Sequence, residues 1–173
     1  MNIPEIKIEE LLESGVHFGH NVRRWNPKMK EYIYGVRNNI HIFDLRITVD
    51  LLNNALVKIH ETVSKSGKIL FVGTKKQCED TVKELASINN DFFVNKRWLG
   101  GTLTNWKTIS NSIKRLEEIE GFLNDENSSK NLSKKELLDI SRERDKLDLN
   151  IGGIRKLVGK PDLLVILDVL KDK

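Results

Sequence analysis

A chain of 173 residues with 39% hydrophobic and 31% charged side chains can bury one sizeable core and carry an appendage, but it is too short for two full domains. No apolar run approaches the roughly 20 residues of a membrane span, so we expect neither a spanning segment nor a membrane partner. The net charge of +4 is too small to indicate nucleic-acid binding by itself, and the single cysteine, Cys78, excludes an internal disulfide.

The first periodic segment is residues 47–63, where apolar side chains line one face of a predicted amphipathic helix. Residues 68–72 form an apolar run that predicts a strand, and helical spacing resumes over residues 78–86. Residues 91–94 and 163–167 predict two further short strands. This alternation of strands and helices predicts an α/β fold with a parallel sheet.

A long helical insertion separates the last two predicted strands. Apolar residues recur at intervals of three and four over residues 109–123 and again over 137–158, which predicts two arms of an antiparallel coiled-coil hairpin. The polar residues 124–129 predict the turn between them, and Ser133 and Glu136 form a capping box that starts the return helix. The expected domains are therefore an α/β sheet domain, residues 1–107 and 159–173, and a hairpin insertion, residues 108–158.

Two polar residues, Glu120 and Arg144, interrupt the seam on opposite arms, and we expect them to pair.

The predicted strand over residues 68–72 is followed by Gly73, Thr74, Lys75 and Lys76. This segment matches neither the P-loop nor the dinucleotide-binding pattern. Two compatible uses remain open. Thr74 caps the following helix with solvated lysines, or the lysines meet a phosphate.

The histidines do not form a recognisable metal or catalytic site. His17 and His20 have the interval of two ligands on a helix, but the neighbouring glycines disfavour a helix there, so we expect structural or RNA-facing roles. His41 is expected in the core or at a sheet edge. No nucleophile elbow is present, and we expect no enzyme activity, catalytic residue, metal or cofactor.

The clearest cluster of cations and flat side chains lies at residues 23–30, with Arg23, Arg24, Trp25, Lys28 and Lys30. Pro27 restrains the backbone, which lowers the entropy lost on docking to phosphates. Two interpretations of the indole remain open, contact with RNA or burial as a lid on the sheet.

Residues 96–107 repeat this composition. Gly100 and Gly101 predict a tight turn into a helix capped at Thr104. We expect Trp98 and Trp106 to pack at the base of the hairpin, with the neighbouring cations facing outward.

Seven segments match one family in the same order. They are GVHFGH at 15–20, RRWNPKM at 23–29, YIYGVRNNIHIFDL at 32–45, ILFVGTKKQ at 69–77, RWLGGTLTNW at 97–106, GGI at 152–154 and PDLLVILD at 161–168. Together they resemble the small-subunit ribosomal protein two family of bacteria and organelles, over nearly the whole chain.

The resemblance implies a flavodoxin-like or Rossmann-like α/β domain with an inserted coiled-coil hairpin. It also implies a non-enzymatic role in translation, as a structural constituent of the small ribosomal subunit between head and body. There the family contacts small-subunit rRNA and other small-subunit ribosomal proteins, and in bacteria it helps to recruit ribosomal protein one. The candidate RNA-binding residues are Arg23, Arg24, Trp25, Asn26, Lys28, Lys30, Arg37, Asn38, Lys75, Lys76, Lys96, Arg97 and Lys107.

The family pattern continues for further strands beyond residue 168, so we expect a second polypeptide to complete the C-terminal half. No targeting segment precedes the first family block, and we expect a ribosome in the mitochondrial matrix if the gene is organellar, otherwise in a bacterial cytoplasm. The alternative function is an off-ribosome relative that serves as a protein-interaction platform.

Overall fold

The computed structural model describes residues 3–125 and 133–172, and the chain divides into two compact units, Met1–Lys65 and Ser66–Lys173.

The first unit contains an antiparallel sheet of three strands, β1 (Phe18–Asn21), β2 (Ile33–Arg37) and β3 (Ile40–Phe43), with β3 in the centre. Asn38 and Asn39 have φ angles of 50° and 60°, the backbone of a two-residue hairpin turn. No element was predicted here, because strands of four or five residues with exposed faces carry little periodic signal.

Two helices complete the first unit, α1 (Ile8–Glu13) and α2 (Leu45–Ser64), and they pack against each other. Asp44 caps α2, because its carboxylate accepts a hydrogen bond of 3.0 Å from the backbone N–H of Arg46. The predicted helix over residues 47–63 is thereby confirmed.

The second unit contains a parallel sheet in the order β5–β4–β6, formed by β4 (Ile69–Val72), β5 (Phe92–Val94) and β6 (Leu163–Ile166). All three strands were predicted within two residues of their observed bounds. A mixed α/β fold with a parallel sheet, compatible with a Rossmann-like arrangement, is therefore confirmed.

Three helices belong to the second unit, α3 (Glu79–Asn89), α4 (Trp106–Asn124) and α5 (Lys134–Ile151). Helix α3 packs against β4 and β5, and α4 packs against α5. The capping box of Ser133 and Glu136 is confirmed. Residues 126–129 of the predicted turn lie outside the described residues.

The core of the second unit joins the sheet to both long helices. Its buried members are Leu70, Val72, Val94, Ile109, Ile113, Leu116, Ile151, Ile154 and Leu157. Trp98, Trp106 and Leu147 are half-buried against this cluster, so the expected packing of the two tryptophans at the hairpin base is confirmed. The lower parts of α4 and α5 are thus continuous with the sheet core.

The predicted second arm is too long. Helix α5 ends at Ile151 and a 3₁₀ turn covers Gly152–Ile154, while Val158 is 77% exposed. The turn passes close to β5, because a Cβ on Gly153 would overlap the carbonyl oxygen of Phe93 and lie 2.8 Å from its ring. A continuing helix with side chains does not fit this approach.

The predicted pairing of Glu120 with Arg144 is wrong. The Glu120 carboxylate accepts a hydrogen bond from Arg155, while Arg144 donates to Asp145 on its own helix at 2.9 Å. The arms are instead bridged by Arg115, whose Nε lies 3.0 Å from a carboxylate oxygen of Glu143.

Both predicted threonine caps are also wrong. Helix α3 begins at Glu79, well after Thr74, whose hydroxyl donates to Asp172. Helix α4 begins at Trp106 with Asn105 as its N-cap residue, since Thr104 belongs to the preceding turn, where its N–H donates a hydrogen bond of 3.1 Å to the carbonyl of Gly101.

No helix within the described residues is long and apolar enough to cross a membrane.

Candidate nucleic-acid interface

The loop after β1, residues 23–30, is called the basic loop, and local side-chain hydrogen bonds hold its backbone. The Asn21 side chain accepts a hydrogen bond of 3.0 Å from the N–H of Arg23, and the Asn26 side chain accepts one of the same length from Lys28. Pro27 begins the 3₁₀ turn Pro27–Tyr32. The restraint predicted from Pro27 is therefore supplemented by two asparagines, and the Asn26 oxygen is used inside the loop.

The cations of this loop face solvent. Arg23, Arg24, Lys28 and Lys30 are all exposed, and none forms an ion pair within residues 3–125 and 133–172. Uncompensated cations on a restrained loop attract a polyanion with little loss of conformational entropy.

The position of the Trp25 indole agrees in part with each of the two interpretations given from the sequence. Its ring centroid is 5.5 Å from that of His41, with planes inclined by 38°, while 41% of the residue stays exposed. One side of Trp25 therefore packs on the sheet, and the exposed part remains accessible to a ligand.

His41 itself is on the central strand β3 and half-buried, so the alternative of a sheet-edge position is wrong. Neither ring nitrogen of His41 has a hydrogen-bond partner among the described residues.

Arg37 and Asn38 lie at the β2–β3 turn, next to the start of the basic loop. The N–H of Val22 donates a hydrogen bond of 3.0 Å to the carbonyl of Asn39 and joins the two segments. Arg37 and Asn38 are exposed. The first unit thus brings eight of the candidate residues to one turn-and-loop region: Arg23, Arg24, Trp25, Asn26, Lys28, Lys30, Arg37 and Asn38.

Two candidate lysines of the second unit are already paired. Lys75 Nζ is 3.0 Å from an Asp168 carboxylate oxygen, and its hydrogen bond lowers the pKa of Asp168 below the usual range. Lys96 pairs with Glu79. These intramolecular carboxylates compete with any phosphate for the two ammonium groups.

The other three candidate cations of the second unit have no such pairs among the described residues. Lys76, Arg97 and Lys107 are exposed and form no ion pair in the described part of the chain. Lys107 lies in the first turn of α4.

An exposed apolar surface of the first unit was not predicted. Phe18 is 61% and Tyr34 is 73% exposed, and both line a groove that continues over Leu12, Ile40 and Ile42. The two asparagines between β-prone runs are the signal that could have revealed the hairpin beneath it.

The described residues contain no group of three or more His, Cys, Asp or Glu side chains that could hold a metal ion. His20 lies on β1, and His17 precedes that strand.

The sequence profile of the ribosomal protein S2 family matches residues 11–173. The chain is 56% identical over 172 residues to the small ribosomal subunit protein uS2 of Rhodopseudomonas palustris strain BisA53, covering 99% of this chain and 52% of that protein. It is 52% identical over 172 residues to the uS2 of Maricaulis maris strain MCS10, covering 99% of this chain and 60% of that protein. The chain therefore spans little more than half the length of these bacterial relatives.

Proposed function

Since the chain belongs to the ribosomal protein S2 family, we propose that it is a structural constituent of the small ribosomal subunit that binds rRNA and has no enzyme activity. The observation that carries this proposal is the set of exposed cations that have no ion-pair partner in the described part of the chain and lie on a loop fixed by Asn21 and Asn26. We assign the chain to the junction between head and body on its resemblance to the family.

The RNA contact is proposed in two parts, one on each unit. The basic loop with Arg37 and Asn38 is the principal contact of the first unit, because no acidic side chain within residues 3–125 and 133–172 forms an ion pair with its cations. On the second unit, Lys76, Arg97 and Lys107 contribute more than Lys75 and Lys96, since the latter two must first leave a carboxylate.

Other small-subunit ribosomal proteins are proposed to contact the apolar groove around Phe18 and Tyr34. Large aromatic side chains that are more than half exposed are typical of protein interfaces rather than of free surface. Arg37, which also belongs to the proposed RNA contact, is the one Lys or Arg among the described residues that line the groove, against four in the basic loop, and this favours a protein over RNA as the partner of the groove.

Helices α4 and α5 are proposed to form a coiled-coil hairpin above the shared core. The seam positions Ile113, Leu116 and Ile119 are buried, and the Arg115–Glu143 pair joins the arms along the same stretch of α4. This arrangement gives the hairpin a fixed base and a more weakly held tip.

A second polypeptide is proposed to complete the sheet beside β6. This strand is at the edge, and Ile166 and Leu167 are 39% and 44% exposed. Co-expression with the C-terminal half of a relative should protect the β6 amides from hydrogen exchange. Equal protection of β6 without that partner contradicts the proposal.

The ribosome itself is proposed to be of bacterial type, in the mitochondrial matrix if the gene is organellar and otherwise in a bacterial cytoplasm. Subcellular fractionation of the source cells distinguishes the two locations.

Co-sedimentation with small subunits tests the function directly. We expect the chain to travel with the subunit peak, and we expect the variant with Arg23, Arg24 and Lys28 all changed to Ala to be depleted from it. The matched control changes three exposed lysines of the same unit, Lys7, Lys58 and Lys65, to Ala and should remain bound. A wild-type chain found only outside the subunit peak would favour the alternative of an off-ribosome interaction platform.

A further inference from the structure

The loops that follow β4 and β6 meet at the carboxyl ends of these two parallel strands. The N–H of Leu167 donates a hydrogen bond of 2.9 Å to the carbonyl of Val72, which continues the strand pairing into the loops. In α/β proteins, the carboxyl ends of parallel strands are where ligands bind. Here the chain's own residues 167–172 lie over the carboxyl ends of β4 and β6.

Thr74 holds a carboxylate with both of its donors. Its N–H lies 3.2 Å from one carboxylate oxygen of Asp172, and its hydroxyl donates to the other. Thr74 is only 8% exposed. Beside it, the ammonium group of Lys75 pairs with Asp168. Two donors of Thr74 thus bind the Asp172 carboxylate, and the ammonium group of the next residue binds the Asp168 carboxylate.

The segment that supplies these carboxylates is attached mainly by polar contacts. Leu167, Val169 and Leu170 are 44%, 65% and 79% exposed, so little apolar surface is buried when the segment closes. Contacts of this kind can be exchanged for contacts with another anion without unfolding the sheet.

We propose that the donors of Thr74 and Lys75 form an oxyanion site, which Asp172 and Asp168 occupy in this structure and for which an external phosphate group competes. Identifying that phosphate as part of the RNA backbone rests on the proposed function, whereas the site itself does not.

A phosphate suits this site for chemical reasons. Its oxygens accept from the same N–H, hydroxyl and ammonium donors as a carboxylate, and a phosphate has more oxygens and more charge. The exposed Lys76 adds a second cation next to the site. Residues 167–172 then act as an internal competitor that keeps small anions out and yields to a polyanion.

Phosphate titration followed by amide NMR tests the site. Asp172→Ala should allow inorganic phosphate to shift the Thr74 and Lys75 amides saturably, with at least tenfold tighter apparent binding than in the wild type, since one charge-assisted hydrogen bond corresponds to about tenfold or more. Asp172→Asn, which keeps the side-chain volume, should shift them in the same direction. Thr74→Val combined with Asp172→Ala should weaken the response.

The matched control is Asp139→Ala, which removes an equal charge from α5. It should leave both amides as unresponsive to phosphate as in the wild type. Equal phosphate responses in the wild type, Asp172→Asn and Asp172→Ala would overturn the proposal, even if one variant were poorly folded.

A second arm of the titration uses a short single-stranded RNA in place of inorganic phosphate. RNA that moves the Thr74 amide of the wild type identifies the backbone phosphate as the competitor. If inorganic phosphate shifts the amides as expected and RNA does not shift the Thr74 amide, the site is confirmed and its assignment to RNA is refuted. Neither result depends on the basic loop, so failure here is distinct from failure of the proposed function.

Discussion

Substitution of Gly153 by Ala should destabilise the second unit severely. A Cβ at this position would overlap the Phe93 carbonyl oxygen and lie 2.8 and 2.9 Å from two ring carbons of Phe93. The first of these neighbours is backbone of β5 and cannot rotate away, so the turn after α5 must shift from the sheet. Overpacking of this kind costs typically 1–3 kcal/mol, and we expect about 3 kcal/mol here.

The matched control is Gly121→Ala. Gly121 lies on α4, and a Cβ there meets nothing within 4 Å. Replacing a helical glycine by alanine should stabilise the chain by roughly 0.5–1 kcal/mol.

Urea unfolding followed by tryptophan fluorescence measures both effects. With a slope of about 2 kcal/mol/M, the midpoint should fall by roughly 1–2 M for Gly153→Ala and rise by up to about 0.5 M for Gly121→Ala. An unchanged midpoint for Gly153→Ala would refute the close packing of the turn on β5.

Three further outcomes follow from the hairpin. Leu147→Asp should lower both the helical signal and the unfolding midpoint of the core tryptophans, because Leu147 packs on the shared core and a buried unpaired charge is costly. Ile140→Asp, further along α5, should reduce the helical signal while the tryptophan midpoint stays near the wild type; a joint collapse would show that the tip is not separable. The hydrogen bond from Arg115 lowers the pKa of Glu143, so this pair stabilises the fold above the usual Glu pKa, and that contribution is lost as the pH falls through the lowered value. Arg115→Ala should therefore raise the Glu143 pKa in a carboxyl NMR titration, and its stability deficit should vanish in acid; a constant deficit at all pH values would contradict the pairing.

Long periodic segments of the sequence predicted helices α2 to α5, short apolar runs predicted the parallel strands, and the six-residue helix α1 was not predicted. Helix α2 was predicted because its apolar stripe repeats over five turns, a signal that no strand of four residues can give. The antiparallel sheet of the first unit was missed because its strands have neither a long stripe nor a continuous apolar run, although Asn38 and Asn39 mark its hairpin turn.

The sequence was sufficient to predict which cations belong to the candidate site, but not which of them are paired with carboxylates in the fold. Lys75 and Lys96 look like Arg23 and Lys28 in the sequence, yet the fold brings Asp168 to the first and Glu79 to the second. Such partners are remote in sequence, so periodicity and motifs do not reveal them.

The end of α5 was also not predictable from the sequence. Apolar spacing continues to Val158, but the helix stops at Ile151 because the glycine turn must pass over β5. The limit comes from tertiary packing rather than from local helix propensity.

The salt dependence of rRNA binding tests the central claim most directly. Each phosphate contact contributes a slope of roughly 0.7–0.9 to the fall of log affinity with log salt, so changing Arg23, Arg24 and Lys28 together to Ala should reduce the slope by about 2–3. The control with Lys7, Lys58 and Lys65 changed to Ala should keep a slope close to the wild type. A slope that is unchanged in the loop variant, or reduced equally in both variants, contradicts a dedicated RNA contact at the basic loop.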